Sequence, residues 1–196
     1  MLAFATALFL LIITPGPGVL TTAGIGSSYG YRAGARFLVG LCIGTNLTVL
    51  AVVTGIAAAL LAVPVLRTVL LLASAAYLVY LAFRVAFSGS RVGFIRPDNP
   101  PGIMTGITLQ LVNPKAYAVN TALFSGFPFW PDHLLAETAM KFLIMNAVWV
   151  PVHIAWLAAG VYLRRLGLSE RAQFAINILM AIAMLAVVAL AVISNL

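Results

Sequence analysis

A lysine stands inside an apolar stretch, directly after an asparagine and a proline, in Asn113-Pro114-Lys115-Ala116. Asn113 is a good helix N-cap, and Pro114 suits the first helical position, where its missing N–H costs nothing. A half-helix should therefore begin at Pro114, with its positive dipole end in the apolar interior. A cation in that first turn opposes the dipole by roughly 0.3–1 kcal/mol. A charge at bilayer depth costs at least about 2.5 kcal/mol on insertion scales. Neither effect helps folding. The acidic residues Asp98, Asp132, Glu137 and Glu170 all fall in predicted loops or at predicted helix ends. The natural counter-ion of Lys115 is then an anionic group on a bound molecule; the plainer alternative is a side chain that snorkels to an interface.

A second break, Thr14-Pro15-Gly16-Pro17-Gly18, interrupts the first apolar run. Pro15 and Pro114 are 99 positions apart in a chain of 196 residues, close to half its length. Proline removes an N–H and glycine loosens the backbone, so each motif should split its helix. Gly16 would cap a half-helix starting at Pro17, with Thr21 and Thr22 one turn further on. Two such N-termini facing one another make an anion site, suited to a carboxylate. In lipid, freed backbone groups are tolerated only where protein or a polar cavity satisfies them. Single breaks of this kind are often plain kinks, since Pro and Gly are common in membrane helices. Breaks at corresponding places in two halves point to a central binding site.

Fewer clues come from the other polar residues. Asn46, Asn120, Asn146 and His153 offer hydrogen bonds to a ligand. Such residues more often join helix to helix, a contact typically worth about 0.6 kcal/mol. Asn46 and Asn146 are 100 positions apart, a second coincidence between the halves. His153 and Lys115 are the clear intramembrane groups able to change charge, which makes them candidates for proton coupling. Gly40 and Gly44 form GxxxG, and Gly26, Gly30 and Gly34 extend the spacing of four. That pattern predicts close helix packing, and it also suits a homodimer.

The elements that must carry these residues are membrane helices. The chain is 63% hydrophobic and 8% charged, with a mean hydropathy of +1.12, a composition unsuited to a water-facing surface. Six stretches approach the roughly 20 residues a span requires: about 2–28 (broken), 37–63, 65–86, 103–128 (broken), 138–162 and 172–194. The expected fold is an all-α integral membrane protein of six transmembrane helices, with helices 1 and 4 broken. Three helices per half is an odd number, so related halves must be inserted as inverted repeats. The chain reads as one transmembrane domain: a repeat over about 1–87, a linker over 88–102 and a repeat over about 103–196.

Net charge is +7, but its distribution is that of a topology signal. Arg32 and Arg36 are expected between helices 1 and 2, Arg84, Arg91 and Arg96 at the end of helix 3 or in the linker, and Arg164, Arg165 and Arg171 between helices 5 and 6. Arg67 and Lys141 fall on the opposite side. The positive-inside rule puts the arginine-rich loops in the cytoplasm and both termini outside. The basic excess suits anionic lipid, and no nucleic-acid partner is needed to explain it. A single cysteine, Cys42, excludes an intramolecular disulfide and any CxxC motif. The N-terminus lacks the basic leader and cleavage site of a signal peptide. No cofactor is expected, since nucleotide-binding glycine loops and metal-ligand clusters are missing from the sequence.

Taken in order, Pro15-Gly16-Pro17, Gly30-Tyr31-Arg32-Ala33-Gly34, Gly40 and Gly44, Ala76-Tyr77-Leu78 before Arg84, and Asn113-Pro114-Lys115-Ala116 resemble the lysine-exporter (LysE/RhtB) family over almost the full length. The resemblance implies a small exporter of amino acids in the bacterial inner membrane, driven by the proton gradient. It gives weight to positions 15–17 and to Asn113, Pro114 and Lys115. Two departures matter. Asn46 stands where many relatives carry an acidic residue, which argues against a basic substrate. Helix 6 lacks the glycine-rich ending common in the family. Asn177 and Phe127-Pro128-Phe129 look nearer to the branch that exports cysteine, O-acetylserine and similar neutral amino acids.

On this reading, the helix starts at Pro17 and Pro114, with Gly18 and Lys115, hold a substrate carboxylate. Backbone carbonyls at Gly16 and Val112, with Asn46, receive the ammonium. Rocking of one repeat against the other exposes the site to alternate sides. The other classes are an intramembrane enzyme and a channel. A protease would show paired aspartates, HExxH or a serine with a base, which this chain does not. A channel would more naturally show a ring of charges or repeated filter carbonyls.

Overall fold

The computed structural model describes residues 1–13, 16–87 and 100–193. Thr14 and Pro15 of the first break, and Arg91, Arg96 and Asp98 of the linker, lie outside the described residues. Among the described residues the chain forms α-helices and no strand. The first apolar run becomes α1 (Leu2–Ile13) and α2 (Pro17–Tyr29), whose axes are bent by 52°. Gly30 follows with φ of 83°, a conformation that favours glycine, and reverses the chain within one residue.

Helix α3 (Tyr31–Val53) therefore starts six residues earlier than the expected position 37. Arg32 and Arg36 lie exposed in its first two turns, not in a loop. The same stretch also ends earlier than expected: it stops at Thr54, and Gly55, at φ of 78°, turns the chain into the short α4 (Ile56–Leu61). Helix α5 (Pro64–Ala86) starts with proline at its first position. The second broken run becomes α6 (Ile103–Val112) and α7 (Pro114–Gly126), followed by α8 (Leu134–Arg165) and α9 (Glu170–Ile193). Helices α3 and α8 are each long and apolar enough to cross a membrane, and the bent pair α1–α2 passes as a third span.

Three helix pairs dominate the packing: α3 on α6, α2 on α8 and α5 on α9. Glycine makes the first two pairings close. A Cβ added at Gly40 would lie 1.9 Å from the Ile103 carbonyl oxygen, and one at Gly106 2.3 Å from that of Phe37. One at Gly160 would lie 2.1 Å from the Ala23 carbonyl oxygen. Backbone thus meets backbone, as small residues allow between membrane helices. Gly40 and Gly44 face α6 of the same chain, at Ile103, Ile107 and Gln110.

These seams lie toward the bundle end that carries Gly30 and the α8–α9 turn, over a core that includes Ile25, Phe37, Leu41, Leu109 and Leu157. A second core of Phe4, Leu8, Val49, Leu123 and Met145 fills the opposite end, where α1 meets α8 and α7 meets α3. Over it sits an unexpected ion pair. Glu137 and Lys141, read from sequence as helix-end and loop charges, are buried, with Nζ 2.7 Å from Oε1. The Glu137 carboxylate also accepts the N–H groups of Phe129 and Trp130, and Lys141 donates to the Phe124 carbonyl at 2.8 Å. The Lys141 ammonium lies 5.8 Å from the Phe4 ring and 5.6 Å from the Phe129 ring, within cation–π range. A satisfied pair can be buried where a lone charge could not.

Candidate functional site

Both breaks begin a new helix in the same way. Gly16 (φ −141°, ψ 179°) and Asn113 (φ −80°, ψ 104°) are extended, and each is followed by a proline in the first turn. Their caps differ. Asn113 Oδ1 accepts the Lys115 N–H at 3.1 Å, and its carbonyl accepts the Ala116 N–H at 3.0 Å. Gly16 has no side chain to do this, so the start of α2 lacks the cap that Asn113 gives α7. The anion-binding character expected of both helix starts therefore rests more on α2.

Two of the carbonyls released at the second break are taken up locally. The Asn113 N–H donates to the Gln110 carbonyl at 3.3 Å, and the Tyr117 hydroxyl to that of Leu111 at 2.9 Å. Tyr117 thus ties α7 back to the end of α6 across the break. This is the satisfaction that irregular backbone requires at membrane depth.

The breaks meet at a cavity of about 90 Å³ between the two cores, roughly three water volumes. Of the residues singled out from sequence, Gly16, Pro17, Gly18, Asn113, Lys115, Asn120 and His153 line it. Pro114 opens α7 without lining the cavity. Asn46 is turned to Asn146 instead, and its amide is engaged there. Pro15 is outside the described residues.

Lys115 reaches across from one break to the other. A Cβ built on Gly16 would lie 3.0 Å from Lys115 Nζ, so a larger residue there would push the ammonium aside. Lys115 is exposed and makes no ion pair among the described residues. No aspartate or glutamate lines the cavity.

His153 on α8, which also lines the cavity, is 5% exposed. Its Nδ1 lies 2.9 Å from the Trp149 carbonyl, and its ring stacks on the Trp149 indole with centroids 3.6 Å apart. Gln110, Thr45 and Asn120 add polar groups to the wall. Asn120 donates to the Thr48 hydroxyl at 3.0 Å, and Thr48 donates to the Thr45 carbonyl at 2.8 Å. Gln110 and Thr45 were not singled out from sequence; a polar residue three positions before Asn113 was the available signal for Gln110. The rest of the wall is apolar, including Leu8, Ile12, Val119, Leu123 and Met145. One cation, several neutral polar groups and an apolar remainder suit a small anionic or zwitterionic ligand.

Comparison with known proteins agrees with this architecture. The curated relatives include proteins named "Cysteine/O-acetylserine efflux protein" from Salmonella typhi, 27% identical over 164 residues and 83% of each chain, and from Escherichia coli O1:K1 / APEC, 27% identical over 165 residues and 84% of each chain. No solved structure matches the chain. The family model described as "LysE type translocator" matches residues 9–195. The chain, a multi-pass membrane protein by its apolar helices, belongs to the LysE type translocator family.

Proposed function

We propose that this protein exports small neutral amino acids or close derivatives across a bacterial inner membrane, by alternating access coupled to the proton gradient. The observation that carries the reading is the meeting of the two helix breaks at one small cavity, with Lys115 of the second break beside Gly16 of the first. The Lys115 ammonium and the uncapped start of α2 receive the substrate carboxylate. No carboxylate lines the wall, so a second cation on the substrate would stay unpaired, which favours neutral side chains. The names of the curated relatives support an amino-acid substrate of this size.

The helix pairings support two inverted three-helix repeats. Exchanging α1 with α6, α2 with α7, α3 with α8 and α5 with α9 turns the three dominant contacts into contacts of the fold, whereas the α2–α3 contact has no comparable α7–α8 counterpart among the described residues. The α3–α6 pair becomes α8–α1, and α2–α8 becomes α7–α3. The pairs α3–α8 and α5–α9 map onto themselves. The glycine seams occupy only one member of each exchanged pair, α3–α6 and α2–α8. Such inequality belongs to one state of a rocking transporter, sealed at the seam end. Arg32, Arg36, Arg84, Arg164, Arg165 and Arg171 all lie at that end, and the positive-inside rule supports assigning it to the cytoplasm.

The test is counterflow in proteoliposomes of the purified protein, with labelled L-serine, L-cysteine, O-acetyl-L-serine and L-lysine. Saturable exchange of the neutral compounds, accelerated by a pH gradient, is expected, with lysine excluded. Flux that does not saturate would instead identify a channel.

A further inference from the structure

We propose that His153 Nε2 is the acceptor of the substrate ammonium, and that the coupling proton competes for the same lone pair. The inference rests on the exporter reading above and assigns the second half of its binding site.

The geometry starts from Trp149. A backbone carbonyl can only accept, so the 2.9 Å contact requires the hydrogen of the neutral ring to be on Nδ1. Nε2 is then an acceptor. It has no hydrogen-bond partner among the described residues, although the side chain is 5% exposed. Stacking on the Trp149 indole, with an interplanar angle of 15°, holds the ring plane. An acceptor that no protein group engages, on a side chain that lines the cavity, is one that a ligand can satisfy.

Its position suits the amino group. A Cβ on Gly18 would lie 3.8 Å from His153 Nε2, as one on Gly16 would lie 3.0 Å from Lys115 Nζ. Gly16 and Gly18 are two residues apart, a separation of at most roughly 7 Å along the backbone. The carboxylate and ammonium of an α-amino acid hang from one carbon and need neighbouring subsites. One at Lys115 and one at His153, both over the start of α2, supply two such subsites.

Protonation reverses the chemistry. An imidazolium donates from both nitrogens and carries a positive charge, so it offers the ammonium repulsion in place of a lone pair. Lys115 of α7 is the charged group that faces the same space. Helices α1, α2, α3 and α6 contribute no titratable side chain to the lining, and α8 contributes none besides His153. The Glu137–Lys141 pair lies roughly three turns or more away along α8. Nothing nearby compensates a second cation. Substrate and proton therefore exclude one another, and this mutual exclusion is the requirement for antiport.

The experiment uses purified full-length protein, in detergent and in proteoliposomes, with L-serine, L-cysteine and O-acetyl-L-serine as probes. Wild-type affinity should fall as pH drops from about 7 to 3.5, approaching tenfold per unit once His153 protonates. In that lower range calorimetry in two buffers of different ionisation enthalpy should detect proton release on binding. N-acetyl-L-serine, which has no ammonium, should not bind. His153→Gln offers an amide oxygen that cannot titrate: binding should be weaker than wild type, equal across this pH range, and no longer driven uphill by a pH gradient. His153→Leu should lose affinity at least tenfold at pH 8. Wild-type affinity independent of pH, no proton release, or N-acetyl-L-serine binding as well as serine would each overturn the assignment while leaving the exporter reading in place. No wild-type counterflow with any probe would overturn both.

Discussion

The side-chain amides of Asn46 and Asn146 close on one another as a reciprocal pair. Asn46 Nδ2 donates to Asn146 Oδ1 at 3.0 Å, and Asn146 Nδ2 donates to Asn46 Oδ1 at 2.9 Å. Each amide also donates to the carbonyl four residues earlier on its own helix, that of Cys42 or Phe142. The pair joins α3 to α8, and exchange of the proposed repeats maps this contact onto itself. A contact of that kind survives when the two halves trade conformations, so on the exporter reading the pair, with its amides engaged with one another, is suited to a pivot.

Truncating one member should expose the other. Asn46→Ala and Asn146→Ala should each destabilise the fold by about 0.6–1.7 kcal/mol, and the double variant should lose less than the two losses combined. Unfolding in detergent measures the coupling. Strict additivity would mean that the amides do not act as a pair.

Replacing Lys115 with Met should abolish export while expression and melting temperature stay near wild type, because the ammonium has no protein counter-ion to lose. Lys115→Arg should do poorly too, since a guanidinium is a wide fixed fork and not a point charge. Amidating the carboxylate of the substrate should cost the wild type far more affinity than the Met variant. Normal export by the Met variant would make Lys115 structural.

Asn113 separates capping from charge. Asn113→Ala should destabilise by about 0.5–2 kcal/mol through loss of the Lys115 N–H acceptor, whereas Asn113→Ser should recover most of that. Asn113→Asp keeps the cap but sets a carboxylate beside Lys115. It should fold and fail to transport, as read by thermal melting and counterflow on the same preparation.

The glycine seam predicts a sharp positional contrast. Gly106→Ala puts a Cβ 2.3 Å from the Phe37 carbonyl oxygen, and overpacking of this kind typically costs about 1–3 kcal/mol. Gly126→Ala meets nothing within 4 Å and should be neutral or slightly stabilising. Melting temperatures of the two variants, compared with wild type, check both.

At the other end, Lys141→Met leaves the buried Glu137 carboxylate without its cation and should lower the melting temperature clearly. Glu137→Gln added to Lys141→Met keeps an oxygen for the Phe129 and Trp130 N–H groups and should recover much of the loss. A double variant no better than the single would mean that the charges act independently.

What the sequence determined by itself was local. Helix capping depends on a few adjacent residues, so Gly16-Pro17 and Asn113-Pro114 announce where new helices begin, and composition alone announces the membrane. The two motifs stand 99 residues apart, close to half the chain. Tertiary structure decided which face each side chain turned to. Asn46 was placed among the ligands because an amide in an apolar run needs a partner, but only packing reveals that the partner is Asn146. Glu137 and Lys141 looked like boundary charges, since burial is affordable only after Phe4, Phe124 and Phe129 gather from three segments around them. Gln110 joined the cavity for the same reason: a helix has two sides, and the neighbour that covers one of them is chosen by contacts far apart in the chain.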